Sequence, residues 1–199
     1  MKKAIIIAVV SICCVFPSRS QQWVGITTQK IQPFAVSQWR DEWCWAASAQ
    51  LVLNWYGIPI SQDAIVQRSH GDTANRTGSD MDITFTLNGW APTTGGVKIV
   101  HSTEFPGMLT PDLLYSNLKT GHPVLIAFQS GPFSGHVVVV TAAVFVPLPG
   151  GQWNVTTLVY RDPWPSPGNL ASIGRVQLDG PQLKAFASTV RASWITWIT

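Results

Sequence analysis

One stretch constrains the fold more than any other: WCWAASAQLVLNWYG, from Trp43 to Gly57. Between Ala46 and Tyr56 only Ser48, Gln50 and Asn54 are polar. A helix with that pattern has no broad face for water and must be surrounded by other parts of the chain. Gly57 followed by Pro59 provides a stop, and Asp41 is the expected N-cap. Covering such a helix takes material, and a chain of 199 residues, 46% hydrophobic and 12% charged, has enough for one domain with a sizeable core. The same numbers exclude a disordered, collagen-like or polybasic chain.

Around the helix, the chain divides into a helical part and a later strand-rich part. Residues 21–38 read as an extended polar arm. Ser61 can cap a short helix through Gln67, and Ser79-x-x-Asp82 resembles a capping box for another. Residues 91–107 read as irregular apart from a short strand over 97–101. Thr110-Pro111 opens a helix that Gly121 ends. Strands are then expected over 123–129, 136–146, 152–162 and 173–178, a short helix over 181–187, and a β-rich stretch to Thr199. Helices first and antiparallel strands afterwards imply an α+β fold.

The N-terminus carries its own signal. Lys2 and Lys3 precede an apolar run from Ala4 to Phe16, with small residues at Ser18 and Ser20. That is the layout of a secretory signal peptide over residues 1–20, which makes 21–199 one domain of an exported protein. The run is shorter than the ~20 residues a spanning helix needs, so no stable membrane span is expected. Without Lys2, Lys3 and Arg19 the chain has ten cationic against ten acidic residues. A neutral body gives no electrostatic reason to expect nucleic acid as a partner. Cleavage also takes away Cys13 and Cys14, leaving Cys44 with no intramolecular disulfide partner. In an oxidising compartment a lone thiol is either buried and inert or put to use.

Cys44 falls in the first turn of the central helix, where unpaired N–H groups and the helix dipole favour a thiolate; Asp41 and Glu42 oppose it. A thiol nucleophile also wants a base. Of the four histidines, His70 and His122 sit near helix ends, where a cation has a structural reason to be, and His101 has no recognisable partner. His136 opens a strand continued by four valines. Residues 147–151 form a five-residue Pro- and Gly-rich loop that joins this strand to the next. If Val146 faces Gln152, an unbroken register brings His136 opposite Asp162. There the carboxylate is either an ordinary cross-strand partner or the group that orients the ring, and one bulge would send it to the other face. An oxyanion site needs N–H donors. The Cys44 backbone N–H is one, and the Gln38 side-chain amide is a second candidate. No CxxC or HExxH spacing is present, so neither metal nor organic cofactor is expected.

Together these residues resemble papain-like cysteine peptidases. Gln38 lies six residues before Cys44, Trp45 follows it, and the order Cys44, His136, Asp162 is that of the family. The strings WCWAASAQ, SGHVVVVTAA and RDPWPSPG look closest to compact bacterial members: staphopain-like and effector-type secreted peptidases, and bacteriocin-leader peptidases with a similar GH…DP arrangement. The resemblance runs from about Gln38 to Trp164. It implies a papain-like two-part fold, with a helical half carrying Cys44 packed against an antiparallel β-sheet half. It also implies Cys44 as nucleophile, His136 as base and acid, Asp162 as orienter, Gln38 as oxyanion donor and Trp164 as a shield for the His–Asp bond. The short stretch before Gln38 has no room for the long inhibitory pro-segment of many members, which leaves a separate inhibitor, a host factor or export itself as the means of control.

The implied activity is that of an exported thiol endopeptidase acting on protein or peptide. A peptidoglycan amidase, a transglutaminase-like enzyme or an acyltransferase would use the same three residues. A non-enzymatic binding protein is the third reading, on account of ten tryptophans. Trp43, Trp45 and Trp55 belong on or beside the buried helix, which leaves Trp194 and Trp197 as candidates for a binding face.

Overall fold

The computed structural model describes residues 20–89 and 99–199. The expected signal segment therefore lies outside the described residues except for Ser20, as do residues 91–98 of the stretch read as irregular. The described elements are β1 (Gln22–Gly25), α1 (Thr28–Ile31) with a 3-10 turn over Gln32–Phe34, α2 (Cys44–Trp55), α3 (Gln62–His70), α4 (Asp80–Leu87), β2 (Val100–Pro106), α5 (Pro111–Lys119), β3 (Val124–Gly131), β4 (Ser134–Pro147), β5 (Trp153–Arg161), α6 (Pro167–Ser172), β6 (Arg175–Asp179), α7 (Gly180–Thr189) and β7 (Val190–Ile198).

The strands make one antiparallel sheet in the order β2-β7-β3-β4-β5-β6, with β1 also paired to β4. The length of β4 explains that extra partner. Its first half pairs with β3 and its second half, residues 142–145, pairs with β1. Val137, Val138, Val139 and Val140 are all buried, because both faces of the sheet are covered. Val137 and Val139 pack with Leu125, Ala127 and Trp194 in the core beneath α2, α3 and α4. Val138 and Val140 pack with Ile126, Leu114 and Phe186 beneath α5 and α7. A strand buried on both sides reads as a continuous apolar run, which is what the four valines are.

Each polar residue of α2 has a structural task. Ser48 donates from Oγ to the Val137 carbonyl at 2.9 Å, tying the helix to β4. Gln50 donates to the Ile60 carbonyl and accepts from Gln62, whose amide in turn holds Ser37 O and Trp39 N–H. Asn54 accepts from the Ile60 N–H. Buried polar groups that are fully paired fix the helix and the loop before it in one arrangement.

Several expectations change. The arm over 21–38 is not extended: it contains β1, α1 and the 3-10 turn. Asp41 is not the N-cap of α2; Trp43 holds that position without a side-chain cap bond. The stretch after residue 99 carries a full strand, β2, paired with β7. Trp194 is completely buried and donates to Thr84, so it is core rather than a binding face. Trp197 stacks on His101, whose Nε2 lies 2.9 Å from Thr199 Oγ1. The Ser79–Asp82 capping box forms as expected, with both reciprocal bonds.

Candidate active site

Cys44 is the first residue of α2, partly buried, at the foot of a cleft of about 720 Å³. The backbone N–H of Cys44 makes no hydrogen bond to another described residue, as the first turn of a helix requires of groups without an acceptor one turn back. Ser48, one turn along, anchors the same helix to the carbonyl of Val137, the residue after His136. The strand and helix that carry the two side chains are therefore locked to each other directly beneath them.

His136 lies in the cleft between Cys44 and Asp162. Its Nε2 is 2.7 Å from Asp162 Oδ1, which leaves Nδ1 free of that bond, and Cys44 lies near enough to favour the protonated ring. Phe128 meets the ring edge-on at 5.7 Å between centroids. Burial by itself favours the neutral imidazole, but the bond to Asp162 and the neighbouring Cys44 and Asp162 outweigh it, and the pKa is raised to about 9. At neutral pH the ring is an imidazolium. For Asp162, burial opposes the carboxylate, and the bonds from His136 and from the Trp164 N–H at 2.9 Å hold its pKa below the usual range.

The meeting of His136 and Asp162 does not come from direct pairing. Residues 153–155 pair with 147–145 and Arg161 pairs with Val139, so an extension of β5 would set Asp162 across from Val138. That register is two residues from the one expected, which preserves the face of the sheet, and the carboxylate reaches His136 diagonally. Two irregularities lie within the hairpin, one leaving Thr156 extra on β5 and one leaving Thr141 extra on β4. Being on opposite strands, they cancel. Beyond β5 the chain is fixed by Asp162 N–H donating to Gly174 O at 2.7 Å. Gly174 sits at φ +67°, and a Cβ there would collide with the Asp162 carbonyl oxygen.

Gln38 is brought to the loop beneath the helix start but not into the cleft. Its Nε2 donates to Arg40 O at 2.9 Å and Asp41 O at 2.8 Å, bracing the turn that leads into Cys44. Its backbone N–H donates to Pro163 O at 2.8 Å, joining that turn to the Asp162 loop. Trp164 lines the cleft with its ring about half exposed and contributes its N–H to Asp162. The other histidines are elsewhere: His70 is 3.5 Å from Asp82, and His122 sits past α5 with its pKa lowered by burial. Among the described residues, no group of three or more His, Cys, Asp or Glu side chains is gathered as a metal site requires, and no helix is long and apolar enough to cross a membrane.

Sequence reasoning did not single out three further parts of the site. Asn169 of α6 donates to the Trp164 carbonyl at 3.0 Å and supports Asp162; the only signal for it was the cap Ser166 before Pro167. Thr77 and Gly78 form a wall of the cleft against Trp45, so close that a Cβ on Gly78 would lie 2.5 Å from the indole. Arg191 brings a cation to the cleft from β7.

The model of the Peptidase_C39 like family matches residues 28–170, a span that holds Cys44, His136 and Asp162. No curated protein matches the chain. Among solved structures, the peptidase domain of Streptococcus ComA, a bi-functional ABC transporter involved in a quorum sensing pathway, superposes with a TM-score of 0.53 at 16% identity, over 81% of this chain and 95% of that one. A double glycine motif protease from an AMS/PCAT transporter, solved in complex with the leader peptide, aligns at 14% identity with a TM-score of 0.48, over 81% of this chain and 89% of that one.

Proposed function

The chain belongs to the Peptidase_C39 like family and is a papain-like cysteine peptidase in fold and class, and from that premise we propose that it is an exported endopeptidase working through Cys44, His136 and Asp162. The observation that carries the proposal is the gathering of Cys44, His136 and Asp162 on one cleft, with His136 Nε2 bonded to Asp162 at 2.7 Å and Cys44 close enough to favour the protonated ring. The signal-like pattern of residues 1–20 supports export.

The chemistry proceeds in two transfers. The Cys44 sulfur attacks the scissile carbonyl carbon, and the oxygen gains negative charge beside the unpaired Cys44 N–H at the head of α2. The C–N bond breaks as His136 gives its proton to the leaving amine, and a thioester remains. Water then attacks the thioester carbonyl while His136 takes a proton from it. The C–S bond breaks, the acid leaves, and the thiolate–imidazolium pair is restored. Asp162 keeps Nε2 engaged so that Nδ1 stays aimed at sulfur, and Trp164 covers that pair. Gln38 serves the oxyanion site by building the turn that presents the Cys44 N–H, because both of its own amide hydrogens are held by carbonyls.

The test is hydrolysis of unfolded casein by the protein expressed from residue 21, with and without iodoacetamide, and with peptidoglycan fragments and amine acceptors in parallel. New peptide termini that disappear on alkylation of Cys44 are the expected result. Turnover of cell-wall fragments or amine incorporation alone would move the assignment to an amidase or a transferase.

A further inference from the structure

The cation in the cleft is put there by an irregularity of the sheet. β3 and β7 pair in step from Val124 with Ile195 to Ala127 with Ala192, and the next pair is Phe128 with Val190, so Arg191 is an extra residue without a partner. In an unbroken strand Ala192 and Val190 would share one face and Arg191 would point to the other. Here Ala192 packs in the core beneath α2–α4 and Val190 against the core beneath α5 and α7. With the bulge Arg191 lies on the α2–α4 side, where it meets Asp80 of α4 and lines the cleft, and bulges beside active sites commonly re-aim a side chain in this way. The Gly107 N–H holds the bulge by donating to the Arg191 carbonyl at 2.6 Å.

Arg191 also walls a smaller cavity of about 260 Å³, between its side chain and the β3–β4 turn, together with Gln129, Ser134 and Phe133. This cavity shares Phe133, Ser134, Gly135 and Arg191 with the main cleft. Gly135 immediately precedes His136, so the cavity opens next to the proposed base. Two side-chain donors line it. The guanidinium has five N–H donors, and the contact at Asp80, 3.3 Å away, is a half-exposed pair of the kind that competes weakly with another anion. Ser134 Oγ accepts from Ser130 at 3.1 Å and keeps its own proton to donate. Asp41 and Glu42 also line the main cleft, and Glu42 shares a further cavity with Phe133, Ser134 and Gly135, so the cleft carries charge of both signs and Arg191 is the cation on its β7 side.

We propose that Arg191 and Ser134 form a substrate subsite for a single carboxylate, carried either by an Asp or Glu side chain near the scissile bond or by the C-terminus of a short peptide. This rests on the peptidase reading above for the claim that the cleft holds substrate. A planar guanidinium with a hydroxyl beside it suits the two oxygens of a carboxylate, and the cavity accommodates one side chain.

The experiment is cleavage profiling of a mixed peptide library by mass spectrometry with wild type, Arg191→Ala, Arg191→Glu and Asp80→Asn, followed by kcat and KM on matched peptides bearing Glu, Gln or Lys at the enriched position. The wild type should favour Glu over Gln by about tenfold, mostly through KM. Arg191→Ala should bring that ratio close to one, and Arg191→Glu should favour Lys. Asp80→Asn, by removing the competing carboxylate, should raise the Glu preference two- to threefold as an order of magnitude. Enrichment confined to cleavage one or two residues from a free C-terminus, lost on amidation, assigns the carboxylate to the chain end. The proposal is overturned if the wild type shows no acidic preference at any position, or if Arg191→Ala keeps the same ratio. If the wild type cleaves nothing, the peptidase reading falls, and the subsite is decided by NMR titration of the Arg191 Nε–Hε resonance. A shift with N-acetyl-glutamate amide and none with N-acetyl-glutamine amide supports it; equal responses overturn it.

Discussion

The two walls of the cleft are held in different ways. Cys44 sits on a helix enclosed by core, and each polar residue of that helix is engaged: Ser48 with Val137, Gln50 with Ile60 and Gln62, Asn54 with Ile60. Asp162 lies just past the end of a strand. It is positioned by a backbone bond to Gly174, an N–H from Trp164 and the support of Asn169. Ser48 to Val137 and Gln38 to Pro163 cross from one wall to the other. The nucleophile's place thus follows from the packing of the whole helical layer, whereas the orienting carboxylate depends on a few contacts at a chain turn. Small changes are therefore expected to act on the Asp162 wall through geometry, and on the Cys44 wall mainly through chemistry.

The largest effect should come from the Cys44 wall. Cys44→Ala should abolish hydrolysis, with kcat down by roughly 10³-fold or more, because no other group can form the thioester. Unfolding should stay within about 1 kcal/mol of the parent, since the side chain is small and only partly buried. A variant that retains peptide cleavage, in a preparation checked by mass spectrometry, would remove Cys44 from the mechanism.

Next is the Asp162 wall, through His136. Asp162→Ala takes away a bond and a charge that favour the imidazolium but leaves the burial that opposes it. The wild-type kcat/KM should decline as pH rises through about 9, where His136 loses its proton. In the variant that decline should begin at lower pH, with kcat reduced by roughly 10²-fold. Stability follows the same sign. The folded value lies above the ordinary 6.5, so this pairing favours the folded state fully below about that pH, and the contribution is lost as pH rises through about 9. An unchanged alkaline limb would show that Asp162 does not tune the ring.

The contrast between the walls also marks how far the sequence could be read. The Cys44 wall was legible because a helix with three polar residues in its buried stretch has few alternatives, and because Ser61 and the Ser79–Asp82 box announce their helices by cap chemistry, as Thr110-Pro111 does for α5 on the other face of the sheet. The pairing of His136 with Asp162 was legible only in its parity. Loop length alone does not fix register, and neither Thr141 nor Thr156 signals a bulge by its identity. Residues 21–38 misread as extended because α1 and its 3-10 turn span seven residues between them, too few for an amphipathic period to show. The Asp41 cap failed for a different reason. The turn before α2 is braced by Gln38 across Arg40 and Asp41, a contact no local pattern encodes. Arg191 reaches the cleft only through a bulge, which is equally invisible in the chain.

A third prediction concerns the backbone of the Asp162 wall. Gly174→Ala places a Cβ against the Asp162 carbonyl at a φ of +67° that disfavours side chains. A loss of roughly 1–3 kcal/mol is expected, read from urea unfolding. Because the collision is with the orienting residue itself, the pH limb should shift in the same direction as in Asp162→Ala, though less far. Gly168→Ala, in the neighbouring helix α6, where a Cβ meets nothing, provides the uncrowded comparison: it should leave the pH limb where it is and stability equal to or slightly above the parent.

The smallest effect tests whether the two walls are coupled at all. Ser48→Ala removes the hydroxyl that reaches the Val137 carbonyl but adds no bulk. A buried carbonyl that loses its side-chain donor costs on the order of 1–2 kcal/mol, and unfolding should show about that. If the bond only contributes stability, kcat and KM will stay as they were. If it also holds the helix in register with the strand bearing His136, kcat should fall severalfold with KM unchanged, since a displaced sulfur-to-ring alignment weakens the reaction and not the docking of peptide. Ser48→Thr keeps the hydroxyl and should restore kcat to the extent that the extra methyl fits the buried site. Recovery of kcat in the threonine variant alongside its loss in the alanine variant would assign the effect to the hydrogen bond. Equal kcat in all three would mean that packing of α2 against β4, without this bond, is enough to align the two walls.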